Sequence, residues 1–326
     1  MREYLCWYHL HAGDPKGAQR RCRITVAHLR FGASMRIAQA VADVAIPGTT
    51  ASLEDMLQLI PRMPLDFNGD CAQANGLVLP VVAINLAHRT DRWEALTARL
   101  ADVGVTKVVR APAVEGARLT DDRVAALLDC RSNGIDEAPR SHTSLTRPAI
   151  GCTLSHLGIW KWVIASNLPR VLVLEDDAAP ASGCGPLDVC RVIEAIPEST
   201  GLVFVGRIIM GGLAERHDGA VLARLYYFNG TFAYLITPGA CRSLLLQLLP
   251  LTAHIDHQIS GVLIAQRRVL SAYYTDPHLF EPDWSMRSDI YVPLADNPTA
   301  DRELGDIIHS TRRLLLDEGR PLLLTR

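Results

Sequence analysis

Hydrophobic residues fall into regular patterns from Leu77 onward. Leu77 to Leu86 is an apolar run interrupted only by Asn85, which predicts a strand buried on both faces of a parallel sheet. Trp93, Leu96, Leu100 and Val103 then recur at helical spacing, with Asp91 placed to cap the helix and Gly104 to end it. Val105 to Val109 reads as a second strand. Leu154, Leu157, Trp160 and Ile164 form another helical stripe that stops at Asn167-Leu168-Pro169, and Arg170 to Leu174 is a short apolar strand running into three acids. Gly201 to Val205 and Thr231 to Ile236 read as strands, the second followed by a helix through Leu249. Strands alternating with helices predict an α/β fold with a mostly parallel sheet flanked by helices. In such sheets ligands bind beyond the carboxyl ends of the strands, and the acids after Leu174 fall there.

The flanks follow other rules. Residues 1–76 hold a strand-like stretch from Tyr4 to Leu10 and a helical one from Met35 to Val44. Breakers follow at Pro47-Gly48, Pro61, Pro64 and Asn68-Gly69. This predicts an N-terminal extension or small subdomain joined by an irregular linker to a main domain over 77–295. Leu304, Ile307, Ile308, Leu314 and Leu315 make a helical stripe, so 296–326 reads as a helical tail.

Composition narrows the class. Of 326 residues, 48% are hydrophobic and 21% charged, a globular rather than disordered balance. The formal charge of −2 supplies no basic field for nucleic acid, and the arginines at 20, 21, 23, 312 and 313 read as solvated surface. Eight cysteines form no CxxC pair, which argues against a zinc ribbon or a dense disulfide framework; Cys184 and Cys190 read as two thiols. No stretch reaches the ~20 apolar residues that span a bilayer, and the acidic start resembles no signal peptide. The expectation is a cytoplasmic protein with reduced thiols, compatible with peripheral association at the inner face of a membrane and with a homodimer.

Chemistry concentrates at Glu175-Asp176-Asp177. Three adjacent carboxylates repel one another, and Mg2+ or Mn2+ takes carboxylate and phosphate oxygens together. The alternative is a helix N-cap with extra acids. Arg89 and Arg92 follow the first strand and can pair with phosphate, or simply start a solvated helix. Ser155-His156 stands about twenty residues before the triplet, a motif partner or an ordinary polar pair. Asn229-Gly230-Thr231 matches a glycosylation acceptor and reads here as a turn. Tyr273 and Tyr274 read as packing aromatics.

Taken in order, these segments make a series: Asn85-Leu86 with Arg89, Asp91 and Arg92; Arg110 to Ala113 with Gly116; Gly151-Cys152 with Ser155, His156 and Trp160; Glu175 to Asp177; Gly206-Arg207; Ala233-Tyr234 with Gly239-Ala240; and Ile255-Asp256. The series resembles glycosyltransferase family 25, which includes bacterial lipooligosaccharide galactosyltransferases and collagen galactosyltransferases, over roughly residues 78–290. The resemblance implies a GT-A fold, a UDP-hexose donor (often UDP-galactose), inversion at the anomeric carbon, and a glycan or glycolipid acceptor. Glu175, Asp176 and Asp177 would be the counterpart of a metal-binding DxD motif. Asn85, Arg89 and Arg92 would lie near the donor nucleotide, Ala113 to Gly116 along its base and ribose, and Ser155 and His156 beside them. Asp256 matches the late acidic motif and is the candidate base, with a metal-ligand and a helix-capping role both open, because it is flanked by His254 and His257. His278 is a third metal ligand or a loop histidine. A protein acceptor, or a non-catalytic glycan-binding protein of the same fold, are the alternatives.

Overall fold

The computed structural model describes residues 52–65, 79–128, 145–166, 168–206, 212–215, 222–265, 270–286, 288–290 and 323–325. The expected strand and helix before residue 51, the stripe from Leu304 to Leu315, and Arg207 lie outside them.

In chain order the elements are α1 (Leu53–Leu59), β1 (Val81–Asn85), α2 (Thr90–Asp102), β2 (Val109–Pro112), α3 (Asp121–Leu127), α4 (Arg147–Ser166), β3 (Val171–Glu175), β4 (Ala178–Pro180) and α5 (Pro186–Ala195). They continue with β5 (Leu202–Phe204), β6 (Gly212–Glu215), β7 (Leu222–Tyr227), β8 (Ala233–Ile236), α6 (Pro238–Leu245), α7 (Ile255–Ala265), β9 (Ala272–Thr275), β10 (Phe280–Pro282) and β11 (Leu323–Thr325). A nine-stranded sheet has the order β11-β6-β7-β9-β5-β8-β3-β1-β2, and β4 pairs with β10 in a separate ribbon. Strands β1, β2 and β3 are mutually parallel, as are β5 and β9. Strand β8 runs antiparallel between β3 and β5, so β1, β2, β3, β5 and β9 share one direction and end on one edge.

Period-two alternation divides the core between the faces of this sheet. Val82, Ile84, Val171 and Val173 meet α4, α6 and α7 on one side. Val81, Ala83, Leu172 and Leu174 meet Leu96 and Leu100 of α2 and Val189 and Ile193 of α5 on the other. Because both faces are covered, β1 and β3 read as unbroken apolar runs. Helix α4 is wrapped nearly all round, with Leu154, Leu157, Ile159 and Val163 fully buried. Truncating one such leucine to alanine costs about 2–5 kcal/mol. Among the described residues no helix is long and apolar enough to cross a membrane.

Several boundaries differ from the sequence reading. The second strand is Val109–Pro112 rather than Val105 to Val109; Val105 is buried in the α2 side of the core and its N–H returns to Leu100 O at 2.8 Å. Burial without a partner strand explains the apolar text there. Gly104 does end α2, at φ 80°, a left-handed conformation that glycine adopts without steric cost. Asp91 does not cap α2: Arg89 holds the N-cap position, and Asp91 sits in the first turn, where its charge suits the helix N-terminus. Helix α6 stops at Leu245, short of Leu249.

Candidate functional site

Parallel pairing sets the site. Ile84 is opposite Glu175 across β1 and β3, and Ala83 is opposite Arg110 across β1 and β2. The strand ends therefore bring Asn85, Arg110 and the acidic turn together. The Asn85 amide donates to Asp176 Oδ2 at 2.6 Å and to Arg89 O at 3.0 Å, and its carbonyl accepts from Arg110 Nε at 2.8 Å. Arg92, in the first turn of α2, donates to Asp176 Oδ1 at 2.5 Å with both side chains buried. Burial, with Glu175 and Asp289 adding, outweighs Arg92 and Asn85 and leaves the Asp176 carboxyl above its ordinary range. Both oxygens of Asp176 are thus engaged inside the protein. The sequence reading made Asp176 a cation or cofactor ligand; it lines the cavity, and its protein partners there are Arg92 and Asn85.

Asp177 is the opposite case. Its Oδ1 is buried with no hydrogen-bond partner, and its carboxyl is pushed up to about 7, first by burial and then by Glu175, with Asp176 adding and Arg92 opposing. An orphaned buried carboxylate oxygen is costly. Its backbone is fixed, since Asp283 N donates to Asp177 O at 2.7 Å beside the β4–β10 ribbon.

Glu175 ends β3. Its Oε1 accepts from Thr231 Oγ1 at 2.7 Å and lies 3.2 Å from His156 Nε2. His156 is wholly buried, and its Nδ1 is 2.8 Å from the Tyr234 hydroxyl. Ser155 acts as a strap: its hydroxyl donates to Gly151 O and accepts from Val114 N, both at 2.8 Å. The glycines at this crossing are required by space. A Cβ on Gly116 would lie 2.0 Å from Arg147 O, and one on Gly151 would lie 2.6 Å from Val114 O. Helix α4 and the loop from Ala113 to Gly116 close only because neither carries a side chain there.

A cavity of about 280 Å³ opens at these strand ends. Of the residues expected at the site, Asn85, Arg92, Ala113, Gly116, Ser155, His156, Glu175, Asp176 and Asp177 line it. Arg89, Asp256 and His278 are not among its lining residues. Arg89 is turned to Asp91 at 3.0 Å and to Asp289. Asp256 stands in the first turn of α7, with Oδ2 accepting from Gly230 N and Oδ1 from His257 N, both at 2.8 Å. Burial works to raise Asp256, but His257, His254 and those N–H groups outweigh it and hold the carboxyl below its ordinary range. His278 lies in the loop between β9 and β10.

The donor set suits a hard divalent cation. Asp177 offers an unpartnered carboxylate oxygen and Glu175 a carboxylate beside it, the oxygen ligands that Mg2+ and Mn2+ favour. Among the described residues the metal-ligating set whose donor atoms lie within 4.8 Å of one another is Cys152, His156 and Glu175. It suits a cation less well, because both His156 nitrogens face protein partners and burial drives the Cys152 thiol well above its usual range.

Sequence reasoning missed part of the cavity wall. Cys152 and Arg110 stood in the motif series without a role, and Ser288, Asp289 and Ile290 carried no signal. All but Arg110 line the cavity. Asp289 also lies 3.6 Å from Arg92 Nη1.

Residues 79–182 match the model of glycosyltransferase family 25 (LPS biosynthesis protein). The chain is 34% identical over 176 residues to the human inactive glycosyltransferase 25 family member 3, covering 51% of this chain and 28% of that protein. It is 38% identical over 98 residues to human procollagen galactosyltransferase 2, covering 30% of this chain and 15% of that protein. A glycosyltransferase 25 family member of Aedes aegypti is 33% identical over 124 residues, covering 38% and 19%. The matches thus span less than a third of each of these relatives. Through residues 79–182, the chain is similar to glycosyltransferase family 25.

Proposed function

We propose that this protein is an inverting glycosyltransferase of GT-A architecture that moves a hexose, galactose first among them, from a UDP-sugar to an acceptor hydroxyl with the help of Mn2+ or Mg2+. The observation that carries the reading is the orphaned oxygen of Asp177 in a cavity at the carboxyl ends of β1 and β3. Asp177 would hold the cation directly, with Glu175 assisting. When bound, the cation supplies Lewis-acid stabilisation of the leaving diphosphate. Asp176 shapes the floor by locking Asn85 and Arg92 in place. The loop from Ala113 to Gly116, strapped by Ser155, forms the wall for base and ribose. Asp256, kept ionised by its histidine neighbours and backbone donors, is proposed as the carboxylate that takes the acceptor's proton. His278 keeps a cation role in this reading only if the loop carrying it approaches Asp177. The acceptor is proposed to be a glycan or glycolipid in surface-glycan synthesis, reached from the cytoplasm at the inner face of a membrane.

A second reading has a specific observation behind it: one relative bears the name inactive. In that reading the same cavity binds a sugar nucleotide without turnover. Calorimetric titration with UDP, with and without Mn2+, followed by a donor-hydrolysis assay, separates the two. Mn2+-dependent binding with hydrolysis supports the transferase. Binding without turnover across UDP-hexoses supports the second reading, and no UDP binding at any Mn2+ concentration removes both.

A further inference from the structure

One buried line of polar groups lies behind the cavity. His156 and Trp160 are four residues apart on α4, so they share a face, and Tyr234 comes from β8, opposite Val173 of β3. Trp160 Nε1 donates to the Tyr234 oxygen at 2.9 Å. The Tyr234 hydroxyl and His156 Nδ1 are 2.8 Å apart, and His156 Nε2 is 3.2 Å from Glu175 Oε1. Trp160, Tyr234 and His156 are at most 1% exposed, so no solvent completes their hydrogen bonding.

Proton counting gives the line a direction. The indole N–H is a donor only, so the Tyr234 oxygen accepts from Trp160 and has one proton left to give. Its remaining polar neighbour is His156 Nδ1, which must then be the ring's acceptor. The ring proton sits on Nε2, which lies 3.2 Å from Glu175 Oε1 and 3.3 Å from Thr231 Oγ1 and is shared between them; the carboxylate only accepts. An imidazolium would place a second donor on Tyr234 and strand the hydroxyl proton in the core, which is costly. Thr231 donates to the same Oε1 at 2.7 Å. That oxygen is therefore occupied by two donors, and Oε2 is the one left to the cavity that Glu175 lines.

We infer that Tyr234 is a positioning residue: through the Nε2–H tautomer of His156 it locks one oxygen of Glu175 and presents the other, in fixed orientation, to the cation-binding side of the cavity. Only the ligand side of this inference rests on the sugar-nucleotide reading; the tautomer does not. Orienting partners of this kind typically change ligand affinity by about 10- to 100-fold when removed.

The test begins with the full chain labelled with 15N-histidine. Two-bond proton–nitrogen correlation spectra separate the Nε2–H form, the Nδ1–H form and the imidazolium, and His156→Gln assigns the relevant signals among the 11 histidines. The expected wild-type pattern is Nε2–H, and a pure Nδ1–H or imidazolium pattern overturns the inference without any ligand. Tyr234→Phe keeps the ring and removes the donor, so His156 should become a tautomer mixture. Mn2+-dependent UDP affinity, read by calorimetry, should fall about tenfold, while Thr231→Val, which strips the second donor from Oε1, lowers it in the same direction. A Tyr234→Phe variant whose tautomer shifts but whose Mn2+-dependent UDP affinity stays at the wild-type value refutes the positioning role. If Tyr234→Phe does not fold, the wild-type spectrum and Thr231→Val still decide. A wild-type protein that shows the Nε2–H pattern yet binds no UDP defeats the sugar-nucleotide reading and the ligand side of the inference, and leaves the tautomer standing.

Discussion

Asp176 and Asp177 are neighbours in the chain with opposite surroundings. Around Asp176 both oxygens are answered, by Arg92 and Asn85, and Arg110 holds Asn85 in turn, although burial still holds that carboxyl above its ordinary range. At Asp177 one oxygen is buried and unanswered, and the carboxyl is pushed up to about 7. The contrast separates two uses of an acid in one turn. A satisfied buried carboxylate ties elements together, and its contribution appears in stability. An unsatisfied one weakens the empty fold and leaves something for a ligand to recover, which is the signature expected of a binding group.

Exchanging the two positions' roles by mutation gives the largest effects. Asp177→Asn is expected to abolish Mn2+-dependent UDP binding while the thermal midpoint of the ligand-free protein holds or rises, as read by calorimetry and melting. Arg92→Ala should act first on stability. It strands the buried Asp176 charge and costs about 3–5 kcal/mol of stability, measured by urea denaturation. If Asp177→Asn lost stability and kept binding, the comparison would be inverted.

Asp256 provides a third environment, ionised and held by backbone donors. If it takes the acceptor's proton, Asp256→Asn should lower turnover by about 10²–10⁴ with UDP affinity near normal. If its work is to hold Gly230, which has φ 91°, the variant should lose about 1 kcal/mol of stability and keep turnover. Joint collapse of UDP affinity and Mn2+ dependence would make it a cation ligand instead. Kinetics, calorimetry and melting on this one variant discriminate the three.

The raised carboxyl of Asp177 carries a pH signature with a defined sign. Between its ordinary value of 3.8 and about 7, the folded protein holds a proton that the unfolded chain has released. Stability from this group is therefore full below 3.8 and is lost as pH rises toward 7. A cation must displace that proton, so below about pH 7 its apparent affinity should fall roughly tenfold per pH unit. Mn2+ should then raise the thermal midpoint more at pH 8 than at pH 6. Equal stabilisation at both, with Asp177→Asn unchanged between them, would place the cation elsewhere.

How much of this was legible in the sequence depends on how local each cause was. Strands β1 and β3 were readable because burial on both faces leaves unbroken apolar text, and the α2 stripe was readable because one face is buried. Val105 to Val109 misled because Val105 is buried against α2 without joining the sheet, so its apolar side chain does not report a strand. The acids after Leu174 were located by the rule that parallel strands end at ligand sites, but their division of labour was not, since it depends on Arg92 lying 84 positions from Asp176. Arg89 was assigned to phosphate on charge alone, with no sign of a carboxylate 200 positions away. The tautomer of His156 depends on Trp160, Tyr234 and Glu175 meeting in space, and no spacing encodes that.

The smallest predicted effect concerns that distant carboxylate. Arg89 and Arg92 both reach Asp289, at the edge of the cavity, so the two guanidiniums assigned to the donor already hold an anion. A diphosphate entering there must displace Asp289 or share its partners, and the internal pair then subtracts from the affinity a ligand gains. Charged hydrogen bonds of this exposure contribute on the order of 0.5–1.5 kcal/mol net. Asp289→Asn should therefore strengthen metal-free binding of UDP or pyrophosphate by about two- to tenfold. Arg89→Ala should weaken it by a similar factor, and both changes should shrink as salt is raised. Weaker binding in Asp289→Asn would instead make its carboxylate a partner of the cation beside Asp177. Affinities unchanged in both variants would leave Arg89 and Asp289 as a surface clasp between α2 and the loop after β10.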